Sequence, residues 1–410
     1  MTVSLTYEGE EFAKEDRAYI YTLVNTYDEE GAPSLPASTT IDFLQEVQVT
    51  VVTPETVNYA PIKAMRIYRT VTGSTGIAEY HLVTEIPCLG RIGNTIFMDT
   101  ITAEKLGEPI SSLNNYPPDI GLRGLAASPN GFVVAFKGNE LHASEAYKLF
   151  AWPKAYVVPF PHNIVSVTAH GNGFLITTTG YPYIVSGVTP DSLSASKLPV
   201  MQAGANKNAV TPVDGGIIYA SHDGLVAVSG ASASLLGSQA FFTREDWRAR
   251  YGAKLSTLRL ASHDGFVIGW FPDANGFVIR LDEAEGTYTK LSDTANCDAI
   301  LPQTDGLYFA AGNKVYQFQG GSPKPLIWQS RDVILPKPIN FGAGHFIGSG
   351  SFTLSFYSDG QIRYSQSVTG DRFFRMPAGF KARRFSVRIT GTGTVKELYV
   401  AETMTELARA

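Results

Sequence analysis

Five stretches of this 410-residue chain share one phrase: a turn closed by glycine, a run of apolar residues, and a second, more mixed strand. They read SPNGFVVAFKGNELHASE from Ser128, GNGFLITTTGYPYIVSG from Gly171, VDGGIIYASHDGLVAVSG from Val213, SHDGFVIGWFPDANGFVIRLD from Ser262 and QTDGLYFAAGNKVYQFQG from Gln303. Their turn glycines, Gly131, Gly173, Gly216, Gly265 and Gly306, lie 42, 43, 49 and 41 residues apart. A period in the forties built from strands alone belongs to β-propeller blades and not to helical solenoids. Five blades are explicit, and a sixth, degenerate one would also fit.

The residues inside each copy agree. Phe132 to Phe136, Phe174 to Ile176, Ile217 to Tyr219 and Phe266 to Trp270 are nearly continuous apolar runs, as expected of strands clamped between two neighbouring blades. Asn-Gly, Asp-Gly and Gly-Gly before a strand supply the positive φ of tight turns, so Gly216, Gly265 and Gly306 are expected there. Helix is scarce. FTREDWRARYGAK is the one clear stretch, with Thr243 as N-cap, Asp246 at N3 and Gly252 at its end, and it accounts for the longest blade spacing.

The whole chain is expected to be all-β, in three parts. Residues 1–113 alternate strands with Gly, Pro and Ser punctuation, in the manner of a fibronectin type III-like β-sandwich. A Pro-rich joint, NNYPPDI from Asn114, leads to the propeller at 118–330. A second joint, ILPKPINFG, leads to a small C-terminal β domain at 338–410, whose hairpin turns at Asp359-Gly360.

Charge narrows the partners. A formal charge of −5 argues against a protein that grips phosphates, because no long basic run is present. The low share of charged residues, 17%, suggests surface that lies against other subunits. MTVSLTYEGEEFAKEDR lacks the apolar core of a secretory leader, and no run reaches the length of a membrane span. Cys88 and Cys297 are far apart in sequence and read as free thiols.

The search for chemistry returns no catalytic, cofactor-binding or metal residue. The seven histidines, His81, His142, His162, His170, His222, His263 and His345, are scattered without ligand spacing. Two SHDG phrases, at Ser221–Gly224 and Ser262–Gly265, place His-Asp in turns, and Asp223, Asp264, Asp305 and Asp359 all precede turn glycines. Walker, nucleophile-elbow and dinucleotide-binding motifs are absent, as is the sialidase-type Asp box. Trp152 reads as closing the outer part of the first blade. Lys381, Arg383, Arg384 and Arg388 form a local basic cluster that alternation along a strand should split between two faces.

The phrases YTLVNTYDEEGAPS, GNELHASEAYKLFAWP, GFLITTTGYPYIVSG, FTREDW, LPKPINF, FYSDG and FRMPAGFKARRFSVRITGTGTVKELYVAETMTEL, in this order, resemble tailed-bacteriophage virion structural proteins of the tail nozzle, or tail tubular B-type, family. The resemblance covers nearly the whole chain, which is shorter than many members. It implies a non-enzymatic virion subunit without cofactors, assembled in the host cytoplasm into a homo-oligomeric ring, usually a hexamer. That ring would sit below a tail adaptor ring, carry tail fibre or spike proteins, and pass genomic DNA during ejection without sequence-specific binding. Other readings are a virion-attached glycan-binding or depolymerising tail protein, another neck or capsid-associated protein, and a cellular propeller scaffold. The last lacks the Trp-Asp and Gly-His phrases of WD40 repeats.

Overall fold

The protein is all-β. The computed structural model describes every residue except 6–13, 43–45, 54–60, 73–77, 88–92, 237–241, 282–286, 292–298, 304, 323 and 409–410, so Cys88 and Cys297 lie outside the described residues. Contacts divide the chain into two compact units, Met1–Thr304 and Asp305–Ala410.

The first unit begins with β1 (Thr2–Leu5), β2 (Lys14–Asn25), β3 (Ala37–Asp42), β4 (Val47–Thr53), β5 (Ile62–Thr72), β6 (Ala78–Pro87) and β7 (Gly93–Asp99). These make a four-stranded sheet in the order β3-β2-β5-β6 and a three-stranded sheet in the order β1-β4-β7. Period-two alternation turns Tyr19, Met65 and Ile67 of one sheet toward Val47, Val49 and Val51 of the other, and these residues share one core. The expected sandwich is there.

Four blades follow, each an antiparallel meander in chain order. The first is β8 (Arg123–Ala127), β9 (Val133–Lys137), β10 (Glu140–Ala143) and β11 (Val157–Pro159), and the second β12 (Ile164–His170), β13 (Gly173–Thr178), β14 (Tyr183–Ser186) and β15 (Ser194–Lys197). The third is β16 (Val210–Val213), β17 (Gly216–Ser221), β18 (Gly224–Ser229) and β19 (Ser232–Leu235), and the fourth β20 (Arg259–His263), β21 (Phe266–Trp270), β22 (Phe277–Arg280) and β23 (Thr287–Lys290). The fifth copy supplies β24 (Ala299–Gln303), β25 (Gly306–Ala311) and β26 (Lys314–Gln317), and the division between the two units falls between β24 and β25.

The apolar runs are continuous because alternate residues serve different neighbours. On β13, Phe174 and Ile176 join a core shared with the first blade, whereas Leu175 joins one shared with the third. On β17, Ile217 and Tyr219 face the second blade, and Ile218 and Ala220 join the core of the fourth. Each fully buried side chain of this size contributes roughly 1.5–3 kcal/mol, so the blades stack through their cores. The first strands of the five copies, β8, β12, β16, β20 and β24, lie beside one another in chain order.

The repeat glycines fall into two classes, which corrects one expectation. Gly131 and Gly265 have the positive φ of turn residues, 84° and 76°. Asp264 at φ 49° and Gly265 form the two-residue turn that pairs His263 with Phe266. Gly173, Gly216 and Gly306 open β13, β17 and β25 without positive φ, and in the second and third copies the left-handed residues are Gly171 and Gly215. Gly173 and Gly216 are needed for space. A Cβ there would lie 2.2 Å from the carbonyl oxygen of Val185 or Val228 on the next strand. Gly265→Val should therefore cost about 1–2 kcal/mol from left-handed strain. Gly321→Val, where φ is not positive and a Cβ meets nothing within 4 Å, should cost a few tenths. Equal losses in thermal unfolding would contradict this assignment.

The helix forms where the sequence places it, as α1 (Arg244–Tyr251), with Thr243 and Asp246 in a reciprocal capping box and Gly252 at the C-cap.

The second unit ends in β27 (Leu326–Gln329), β28 (Val333–Ile339), β29 (Ala343–Ser358), β30 (Gln361–Thr369), β31 (Arg372–Arg375), β32 (Ala382–Ala401) and α2 (Met404–Leu407). The sheet runs β27-β32-β29-β30, with β28 also on β32 and β31 on β29. Leu326–Gln329, read from sequence as the end of the propeller, thus pairs with β32 of the C-terminal sheet. Phe346, Phe352, Leu354, Phe356 and Ile389 line its inner face. Asp359 and Gly360, at φ 50° and 81°, make the expected hairpin turn.

Candidate functional site

The Pro-rich joint is anchored on both sides. Glu30, at the end of the β2 hairpin, accepts hydrogen bonds from Thr22 Oγ1 at 2.6 Å, Tyr68 Oη at 2.7 Å, Arg66 Nη1 at 2.6 Å and Ser112 Oγ at 3.0 Å. Asn115 Nδ2 donates to the Glu30 carbonyl at 2.7 Å. One residue further on, the Tyr116 carbonyl accepts from the Trp152 amide at 2.7 Å, and Lys154 Nζ lies 4.6 Å from the centre of its ring. The sandwich and the first blade are thus tied through Ser112, Asn115 and Tyr116, and Trp152, buried in the connection from β10 to β11, serves this tie.

Burial alone would raise the Glu30 pKa, but the hydrogen bonds from Thr22, Tyr68, Arg66 and Ser112 outweigh it and hold the carboxyl below its ordinary value. A folded-state pKa below the unfolded one means that the stabilisation is complete above about pH 4.3, the unfolded glutamate value, and is lost as pH falls through the folded pKa. Urea unfolding between pH 6 and pH 3 should show this loss, and Glu30→Gln should flatten that part of the profile. An unchanged slope in the variant would remove Glu30 from the account.

The two SHDG phrases have become different things. In the first, Ser221 Oγ accepts from the Asp223 amide at 3.2 Å and donates to the Gly224 carbonyl at 2.9 Å, while His222 is exposed. Asp223 accepts from Gln202 Nε2 at 3.1 Å and Arg248 Nε at 3.0 Å, and these partners hold its pKa down, with Gln202 the larger cause. It pins α1 to the third blade. In the second, His263 and Asp264 line a groove of about 540 Å³ between the third and fourth blades, together with Pro212, Val213, Asp214 and Phe266. Ser262 Oγ donates to the Pro212 carbonyl across the same seam. Among the described residues, no group of three or more His, Cys, Asp or Glu is placed to hold a metal ion.

The basic cluster gains weight from its surroundings. Asp305–Ala410 contains 13 Lys and Arg against 7 Asp and Glu, a charge of +6, which leaves −11 on Met1–Thr304. The overall −5 conceals this split. Arg383 and Arg384 are both exposed, Arg384 Nε lies 3.8 Å from Asp332 Oδ2, and Arg388 is half-buried. Beside them opens an apolar cavity of 130 Å³, lined by Val333, Phe341, Phe356, Met376, Phe380 and Phe385. Trp328, Val333 and Ile334 on β27 and β28 are 48%, 54% and 68% exposed. Sequence reasoning missed this surface because its apolar lining comes from β28, β29, β32 and the segment between β31 and β32. The signal available was the run of Lys381, Arg383 and Arg384 interleaved with Phe380 and Phe385.

No protein-family model matches the chain, and no curated protein sequence matches it. Similar solved structures are β-propellers. They include BamB from Moraxella catarrhalis, at 13% identity and a TM-score of 0.34 over 63% of this chain and 81% of that one. Hsv2 from Kluyvelomyces marxianus gives 7% identity and 0.32, over 62% of this chain and 72% of that one. Prp20p from Saccharomyces cerevisiae gives 11% identity and 0.30, over 72% of this chain and 88% of that one. None of the helices among the described residues is long and apolar enough to cross a membrane.

Proposed function

We propose that this chain is a non-catalytic structural subunit that assembles with copies of itself, and that its place is the nozzle ring of a bacteriophage tail. The observation that carries the assembly reading is the charge split, +6 on the second unit against −11 on the first, together with the exposed apolar strands β27 and β28. A surface of opposite sign and exposed Trp and Ile suits association of like subunits. The narrower assignment, to a nozzle with adaptor and fibre partners, rests on the resemblance of the sequence phrases. In that role the net negative charge favours a wall along which DNA passes without being held by counterion release.

Sedimentation velocity and negative-stain imaging of the purified chain test this reading. The expected result is a closed oligomer, with each lateral contact burying more than the roughly 1,600 Å² of a standard interface. Duplex DNA titrated at about 150 mM salt should bind more weakly than about 1 μM, within the ordinary non-specific range. A chain that stays monomeric, or DNA held more tightly than that through Lys381, Arg383, Arg384 and Arg388, would contradict the proposal.

A further inference from the structure

We infer that the apolar slot of the second unit, with its basic rim, is the acceptor half of a head-to-tail contact between copies, and that the acidic turn carrying Tyr27 is the donor half. The inference rests on the assembly reading and specifies its contact.

The slot has the features of an anchor site. Its 130 Å³ is close to the roughly 150 Å³ apolar cavity that accepts a benzene ring, and its walls are mostly Phe, Val and Met, joined by Tyr357, Ser330 and Ser386. Exposed cations neighbour its lining residues along the chain: Lys381 follows Phe380, Arg384 precedes Phe385, Arg375 precedes Met376, and Arg331 lies two residues before Val333, with Asp332 between them and 3.8 Å from Arg384. A phosphate backbone would use the cations and leave the dry slot empty. An aromatic side chain flanked by carboxylates uses both, in the way buried anchors within polar rims dominate interfaces.

Tyr27 matches that description within this chain. It is 69% exposed, and among the described large apolar residues exposed on the first unit it alone is followed by two carboxylates, Asp28 and Glu29. The turn is held in shape before any partner arrives. Asn25 Oδ1 accepts from the amides of Tyr27 at 2.9 Å and Glu29 at 3.0 Å, and Asn25 Nδ2 donates to Glu29 Oε2 at 2.6 Å. Lys63 pairs with Asp28 at the foot of the turn. A preformed knob loses little freedom on docking. Because donor and acceptor are different surfaces, the contact is heterologous, the kind that closes rings or propagates.

The test is sedimentation velocity of the full chain at about 50 mM and about 500 mM salt, a range over which screening shortens from beyond to within a contact's width. Tyr27→Ser, Val333→Glu and the pair Arg383→Glu/Arg384→Glu should each weaken self-association roughly tenfold or more, about one decade in Kd. Tyr27→Phe should leave it unchanged, and near-UV dichroism of each variant guards against misfolding. Mixing Tyr27→Ser with Arg383→Glu/Arg384→Glu should give capped heterodimers, because one good knob and one good slot remain. A wild-type chain that assembles while the variants assemble equally well would overturn this contact and leave the assembly reading standing. A wild-type chain that never assembles would overturn both. Arginine variants that lose duplex-DNA binding but keep assembly would make the rim a nucleic-acid surface and also overturn the contact.

Discussion

Asp99→Ala should destabilise the N-terminal sandwich by about 3–5 kcal/mol, the usual consequence of leaving one member of a buried ion pair alone. Asp99 and Arg69 are 1% exposed each, and Arg69 Nη1 donates to Asp99 Oδ2 at 2.6 Å. The other bonds of the cluster come from Tyr19 Oη at 2.7 Å and the Ile101 amide at 3.0 Å, while Arg69 also donates to the Ile101 carbonyl at 2.9 Å. Burial and the neighbouring carboxylate push the Tyr19 pKa up, so its hydroxyl remains a donor throughout the neutral range. Removing Asp99 would strand the guanidinium of Arg69, whose Nε already has no partner among the described residues. The comparison that decides the cause is Arg69→Met/Asp99→Asn. With both charges gone it should be more stable than Asp99→Ala, because the cost lies in the unpaired charge and not in lost attraction. Urea unfolding followed by near-UV dichroism reads both. A loss below about 1 kcal/mol for Asp99→Ala, or a double variant no better than the single, would place the cluster among the weak surface pairs.

The part of this fold legible in the sequence was the part governed by local chemistry. Gly265 and Asp359-Gly360 announce two-residue turns because left-handed residues have few substitutes, and the Thr243/Asp246 box announces α1. The blades were legible through β13 and β17, where both faces are buried and the apolar run is unbroken. Their first and fourth strands, such as Ser194–Lys197 with every residue exposed, carry no such signal. Gly173 and Gly216 were misread because a glycine required by a neighbouring strand's carbonyl looks the same in sequence as one required by a turn. The Glu30 node was invisible for a related reason. Its donors, Thr22, Arg66, Tyr68 and Ser112, are up to 82 residues away and are brought together only by the pairing of β2 with β5 and the return of the joint. The slot beside Arg384 was half legible: the cations were plain, but a whole-chain charge of −5 hid the +6 of the unit that bears them.

Trp247→Ala is expected to be the other large loss, about 3–5 kcal/mol for emptying a buried aromatic site. Trp247 is fully buried on α1, and its ring meets Phe242, Tyr251 and Phe277 at centroid distances of 5.4, 5.0 and 6.0 Å. Its Nε1 donates to the Ser221 carbonyl at 3.1 Å. The helix is therefore held by an aromatic plug that reaches the third blade through Ser221 and the fourth through Phe277, in a core both blades share. Its second tie is the ion pair of Arg248 with Asp223 on the third blade, and there the Arg248 side chain is 61% exposed. Water screens that pair, so Arg248→Ala should cost less than about 1 kcal/mol. Trp247→Phe should fall between, keeping most apolar contact and losing the hydrogen bond. Amide exchange separates the two ties: Trp247→Ala should speed exchange at Ile218 on β17 and Val267 on β21 together, because one plug supports both blades. If Arg248→Ala matches Trp247→Ala, or if only the helix amides respond, the aromatic plug does not join the blades and the helix is an ornament of the third blade alone.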